Sequence, residues 1–126
     1  MDKIREMDAI DLSHCLGKTF TATIDRPVGS RHPDWEFEYQ LNYGYIPGMA
    51  APDGEEQDVY VMGIAEPVEF FTGVCIAIIL RANDVEGKLV LAPDELLFSR
   101  EQIAEEVAFQ EQFFDSRIIL PEDMDC

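Results

Sequence analysis

Asn42-Tyr43-Gly44-Tyr45-Ile46-Pro47, followed a few residues later by Asp53-Gly54-Glu55-Glu56-Gln57-Asp58-Val59, is the stretch on which the reading of this chain turns. An aromatic-rich extended segment leads into a glycine turn that carries three carboxylates, Asp53, Glu55 and Asp58. Gly54 allows the backbone to turn sharply between the first two. Asp58 opens the next run of β-branched residues, where pleating can aim it to one side of a sheet. Hard oxygen ligands on a tight loop suit Mg²⁺, which takes few carboxylates, keeps several waters and accepts phosphate oxygens in the rest of its shell. Two such ions can clamp a phosphoanhydride and lower the pKa of a bridging water. The bland alternative is a solvated acidic turn, the usual fate of Asp-Gly-Glu-Glu. An EF-hand is excluded by position: counting from Asp53, Asp58 falls where that loop needs glycine and Ile64 where it needs glutamate.

Outward from this stretch the chain reads as short strands and one helix. Residues 19–24 alternate, with Phe20, Ala22 and Ile24 on one face, as a half-buried strand does. Pro27, Gly29 and Pro33 break the next segment into a loop. Residues 37–41 read as extended and 43–52 as a turn. The runs 59–65, 73–81 and 88–92 are rich in β-branched residues and bounded by Gly, Pro or Asp/Asn, which predicts strands of one curved antiparallel sheet. Asn83-Asp84-Val85-Glu86-Gly87 is the turn between the last two. Ser99-Arg100-Glu101-Gln102 fits a capping box opening a helix to about Phe114. Ile103, Val107 and Phe114, with Ala104 and Ala108 beside them, form the face expected to cover the sheet. Strands followed by one C-terminal helix make an α+β pattern, expected to close as a small barrel.

At 126 residues the chain has the size of one domain. Within it, 1–16 is weakly patterned, an N-terminal arm or short helix, and 115–126 reads as an acidic tail. Nine Lys plus Arg stand against 26 Asp plus Glu, for a formal net charge of −17. Such a field repels polyanions, so nucleic acid and anionic membranes are unfavourable partners. The longest apolar run, residues 74–80, is too short to span a bilayer. Three cysteines form no CxxC pair and are odd in number. Cys75 sits in an apolar run as a core residue, and this usage, with no signal-peptide h-region at the N-terminus, fits a cytoplasmic protein.

The central stretch resembles the soluble (type I) inorganic pyrophosphatases, whose metal motif Asp-Gly-Asp-Pro-x-Asp-Val follows a Tyr-Pro-x-Asn-Tyr-Gly-Tyr/Phe-Ile segment. The resemblance spans roughly residues 19–117 and implies an OB-like antiparallel β-barrel with a packed C-terminal helix. It implies Mg²⁺ (or Mn²⁺) as cofactor and inorganic pyrophosphate as the small-molecule substrate, split to two phosphates by a metal-activated water. Asp53, Glu55 and Asp58 match its three metal aspartates, Glu55 standing for the residue that polarises the attacking water. Asp84-Val85-Glu86-Gly87-Lys88-Leu89-Val90 resembles its second acidic loop. Asp84 and Glu86 would then hold metal and Lys88 phosphate; otherwise the loop is an ordinary hairpin turn. Tyr39 and Tyr43 match two phosphate-contacting tyrosines, or are core and rim aromatics. Asp25-Arg26-Pro27-Val28-Gly29-Ser30-Arg31 resembles a Glu-x-Pro-x-Gly-Ser segment. In that match Asp25 stands for a metal-associated glutamate, and Arg31 is either a phosphate ligand or a surface arginine. Glu55, Asp58, Lys88 and Tyr43 are thus the expected catalytic residues.

Departures from that pattern are substantial. The hairpin that supplies an arginine and a glutamate is nearly absent, and so is the Tyr-Lys pair after the helix, for which Arg117 is the nearest substitute. Two rivals follow: a non-catalytic metal- or nucleotide-binding module on the same fold, and a hydrolase of another diphosphate. Other chemistries lack their motifs: there is no GxxxxGK[ST], GxGxxG or GxSxG, and His14 and His32 have no zinc spacing. A homo-oligomer is compatible with the sequence but not specified by it.

Overall fold

The computed structural model describes residues 14–32, 37–50, 55–81 and 87–124. Strands β1 (Thr19–Arg26), β2 (Asn42–Ala50), β3 (Glu56–Val61), β4 (Phe70–Arg81) and β5 (Gly87–Ala92) precede helix α1 (Arg100–Glu111). Strand β6 (Ser116–Ile119) and a 3₁₀ turn (Pro121–Met124) follow the helix. Hydrogen-bonded neighbours run β1-β2-β3-β5-β4-β6, and β1 also pairs with β4, closing the first five strands into an OB-like barrel. The barrel is mixed: β3 and β5 are parallel, Val59 opposite Leu89 and Val61 opposite Leu91. A parallel pair needs a connection that crosses between them, and β4 supplies it before turning back antiparallel into β5.

Alternation of side chains decides what each face does. Val59, Val61, Ile78, Leu80, Leu89 and Leu91 fill the barrel with Ala22, Ile24 and Ile46. Their sequence neighbours Tyr60, Met62, Ala77, Ile79, Val90 and Ala92 point outward into a second core, under Ile103, Val107 and Phe109 of α1. With both faces covered, β5 is buried along its whole length, Gly87–Ala92, as doubly covered strands are. The capping box of α1 is present: Gln102 N donates to Ser99 Oγ (3.1 Å) and Ser99 N to Gln102 Oε1 (2.7 Å). Among the described residues no helix is long and apolar enough to cross a membrane.

Several local expectations change. The 43–52 stretch is not a turn but most of β2. Its pairing with β3 shifts register between Ile46 and Ala50, a bulge that holds Pro47 and Gly48, where a proline needs no ladder bond. Gly44 is obligatory there, because any Cβ would strike the Thr23 carbonyl of β1. Residues 37–41 are extended without a full strand, tied to the preceding loop by Tyr39 N to Ser30 O (2.8 Å) and an Arg31–Glu38 bridge. Helix α1 stops at Glu111, with Ala104 and Ala108 exposed and Gln110 and Glu111 buried instead. The 115–126 stretch, read as an acidic tail, contributes β6, whose Ile118 and Ile119 pair with Ile79 and Ile78. β4 is twelve residues long, so one edge pairs β1 near its start and still has room for β6 near its end. The expected turn at 83–87 falls almost wholly outside the described residues.

Candidate active site

The outward-facing rows do not stop where the helix does. Asp58 precedes Tyr60 by two positions on β3, Lys88 precedes Val90 by two on β5, and Arg81 follows Ile79 by two on β4, so period-two alternation sends all three to the helix side of the barrel. Tyr43 faces Tyr60 across the β2–β3 ladder. Beyond the edge of α1 these four line a cavity of about 470 Å³. Asp25 and Arg26 enter from the end of β1, His32, Phe37 and Tyr39 from the segment between β1 and β2, and Gln110 and Phe114 from the end of α1.

The charge of this cavity runs against that of the chain. Three of the nine basic residues, Arg26, Arg81 and Lys88, line it. Lys88 is only 3% exposed, and its ammonium lies 2.7 Å from Asp58 Oδ2, whose side chain is 32% exposed on the cavity side. The same ammonium sits 5.7 Å from the centre of the Tyr43 ring. Burial raises the Tyr43 phenol well above its ordinary value, opposed by Lys88 and reinforced by Asp58, so Tyr43 keeps its proton and remains a donor. Tyr39 is also raised by burial, against the lowering charge of Arg26.

A buried polar network supports the cavity. Arg81 donates through Nε (3.1 Å) and Nη2 (2.7 Å) to the two oxygens of Glu111, and its guanidinium lies 3.7 Å over the Phe114 ring. Tyr60 Oη donates to Glu111 Oε2 (2.5 Å) and accepts from Gln110 Nε2 (2.6 Å), while Gln110 Oε1 accepts from Tyr39 Oη (3.0 Å). Burial pushes the Glu111 carboxyl up, but hydrogen bonds from Arg81, Ser116 and Tyr60 hold it below the ordinary value. Burial likewise pulls Arg81 down, and Glu111 more than offsets this. Both stay charged, so a permanent cation is fixed in the cavity wall.

Set against the sequence expectations, Asp58, Lys88, Tyr39, Tyr43 and Asp25 come together in this cavity. Arg31 does not: it is exposed, and Arg26 from the same segment lines the cavity instead. Arg26 sits at the end of β1, where the register shifts after Ile24, whereas Arg31 lies in the following loop bridged to Glu38. Glu55 is exposed just before β3 and is not a lining residue. Asp53, Asp84 and Glu86 lie outside the described residues. Arg117 is exposed on β6 opposite Leu80. Sequence reasoning missed Arg26, His32, Phe37, Arg81, Gln110 and Phe114. Arg81 was findable as a lone charge closing an apolar strand, whereas Gln110 and Phe114 gave no such signal. Asp25 and Asp58 present carboxylate oxygens to the cavity, a donor set suited to a hard cation. Among the described residues no group of three or more His, Cys, Asp or Glu is placed to hold a metal.

The barrel, its parallel β3–β5 pair and the C-terminal helix define a fold shared with the inorganic pyrophosphatases. The chain is similar to the inorganic pyrophosphatase from Ehrlichia chaffeensis at 17% identity and a TM-score of 0.64, covering 82% of this chain and 88% of that one. It is similar to that from Coxiella burnetii at 15% identity and a TM-score of 0.65, covering 86% and 90%. The Neisseria gonorrhoeae enzyme gives 17% identity and a TM-score of 0.60, covering 90% and 92%. No protein-family model matches the sequence, and no curated protein does. At such identities the likeness establishes the fold.

Proposed function

We propose that the cavity hydrolyses a phosphoanhydride, with inorganic pyrophosphate as substrate and two phosphates as products, and that it requires Mg²⁺ or Mn²⁺. One observation carries the reading: a chain of net charge −17 gathers three of its nine cations around one cavity that also holds two carboxylates. Cations beside hard oxygen donors suit a polyanion that arrives with a divalent ion. The similarity to solved pyrophosphatases supports the same class of substrate.

Asp58 and Asp25 would hold the cation, together with Asp53, Glu55, Asp84 and Glu86 as far as the sequence resemblance assigns them as metal ligands. When bound it would neutralise phosphate charge and acidify the attacking water. The chain's own side chains do the rest. Lys88, clamped to Asp58, and Arg26 bind phosphate oxygens. Arg81, held by Glu111, keeps a fixed positive charge at the wall. Tyr43, retaining its proton, donates to a phosphate oxygen. Preorganised donors of this kind stabilise charge that develops in the transition state. The free, buried thiols of Cys15 and Cys75 support a cytoplasmic setting.

A second reading, a binding module without turnover, draws on the engagement of the Asp58 carboxylate by Lys88. Phosphate release from pyrophosphate, measured across Mg²⁺ and Mn²⁺ concentrations, separates the two. Hydrolysis that requires metal and is nearly lost in Asp58→Asn is the expected result. No release at any metal concentration would leave the binding module standing.

A further inference from the structure

The cavity holds more than a phosphate site needs. Beside the cations Arg26, Arg81 and Lys88 it is lined by the rings of His32, Phe37, Tyr39, Tyr43 and Phe114. His32 and Tyr39 lie nearly parallel, at 15° with centroids 6.1 Å apart, and Phe37 lies 5.0 Å from His32 and 5.5 Å from Tyr39. His32 and Phe37 are half-buried, so they form a surface of the cavity and not only a core. Pyrophosphate presents only oxygens to its surroundings. It gains nothing from ring faces, whose negative quadrupole disfavours an anion. The volume of about 470 Å³ also falls within the range of about 300–1,000 Å³ typical of pockets for whole organic ligands. Cations together with the half-buried rings of His32 and Phe37 match a diphosphate that carries an aromatic group.

We propose that the cavity accepts nucleoside 5′-diphosphates, with the base against His32 and Phe37 and the diphosphate between Arg26 and Lys88. The proposal rests on the phosphoanhydride-hydrolase reading and names a further substrate class for the same site. Stacking on rings is tolerant of base identity, so purine and pyrimidine diphosphates both qualify. In the reaction the oxygen of water forms a bond to the terminal phosphorus. The bond from that phosphorus to the bridging oxygen breaks, and its electron pair stays on the nucleoside monophosphate. The products are the monophosphate, orthophosphate and one proton released to solvent, with no change of oxidation state.

The test compares ADP with methyl diphosphate, which carries the same phosphates and no ring. Each is titrated calorimetrically into the full chain, with Mg²⁺ and with EDTA, beside a phosphate-release assay on ADP and on pyrophosphate. ADP is expected to bind about tenfold tighter than methyl diphosphate, the effect of one stacked base. Phe37→Leu, which keeps apolar bulk, and His32→Ala should each bring that ratio towards one, with circular dichroism reporting that the variants fold. Equal binding of ADP and methyl diphosphate, or a ratio unmoved in both variants, overturns the inference, and pyrophosphate cleavage alongside that result leaves the hydrolase reading intact. Preferential ADP binding with no phosphate released from either substrate does the reverse: the ligand class stands and the hydrolase reading falls.

Discussion

Glu111→Ala is the most informative single change in this molecule. Glu111 and Arg81 have side chains 5% and 7% exposed and are joined by two hydrogen bonds, so neither charge is well solvated without the other. Removing one partner of such a pair costs about 3–5 kcal/mol, because the remaining charge is buried and unpaired. Tyr60 and Ser116 also lose their acceptor, at about 0.5–1.5 kcal/mol for each bond, though these terms overlap with the first. Against a total stability of about 5–15 kcal/mol, the variant should be near the edge of folding. Urea denaturation should show the midpoint falling with little change in slope. The Glu111→Leu/Arg81→Met double variant should recover most of the loss, since two apolar groups leave no charge stranded. A cost below about 1 kcal/mol for Glu111→Ala, or a double variant as unstable as the sum of the singles, would refute this account of the pair. The same carboxyl predicts an acid limb. Its folded pKa is held below the ordinary value of 4.5, so its contribution is complete above that pH and is lost as the pH falls through the lower folded value.

Three further outcomes follow from other contacts. Asp58→Ala should destabilise the protein by about 2 kcal/mol in thermal or urea unfolding, because it removes the carboxylate paired with the buried Lys88 ammonium; a midpoint at or above wild type would show that this pair does not hold the fold. Ser99→Ala should cost about 1 kcal/mol by removing the N-cap acceptor of α1, and an unchanged urea midpoint would show the box to be idle. Burial first, then Glu111 for Tyr60, raises the Tyr43 and Tyr60 phenols above their ordinary value of 10.0. Stability should therefore be full below pH 10 and fall as the pH rises beyond it, with Tyr60→Phe flattening that limb in urea titrations repeated at each pH.

Much of the fold was legible in the amino-acid order because local physics wrote it there. Runs rich in β-branched residues at 59–65, 73–81 and 88–92 specified strands, and Ser99 with Gln102 specified where the helix begins. Asp58 and Lys88 were legible as residues opening two of those runs, whereas Tyr43 read as part of a turn and joins them only through the pairing of β2 with β3. Pairing is not local. That β5 lies beside β3 in parallel, that β2 continues through Pro47 by means of a bulge, and that residues 116–119 complete an edge of β4 depend on contacts between distant segments. The same holds for the cavity. Arg26 lines it and Arg31, bridged to Glu38 in the loop beyond β1, does not, and Glu111 is buried because Arg81, thirty residues earlier, arrives at the same point to neutralise it. The sequence alone determined which residues could carry charge and which must be buried. Only the closed barrel decided which charges meet, because a buried ion is tolerable solely where its partner is brought to it.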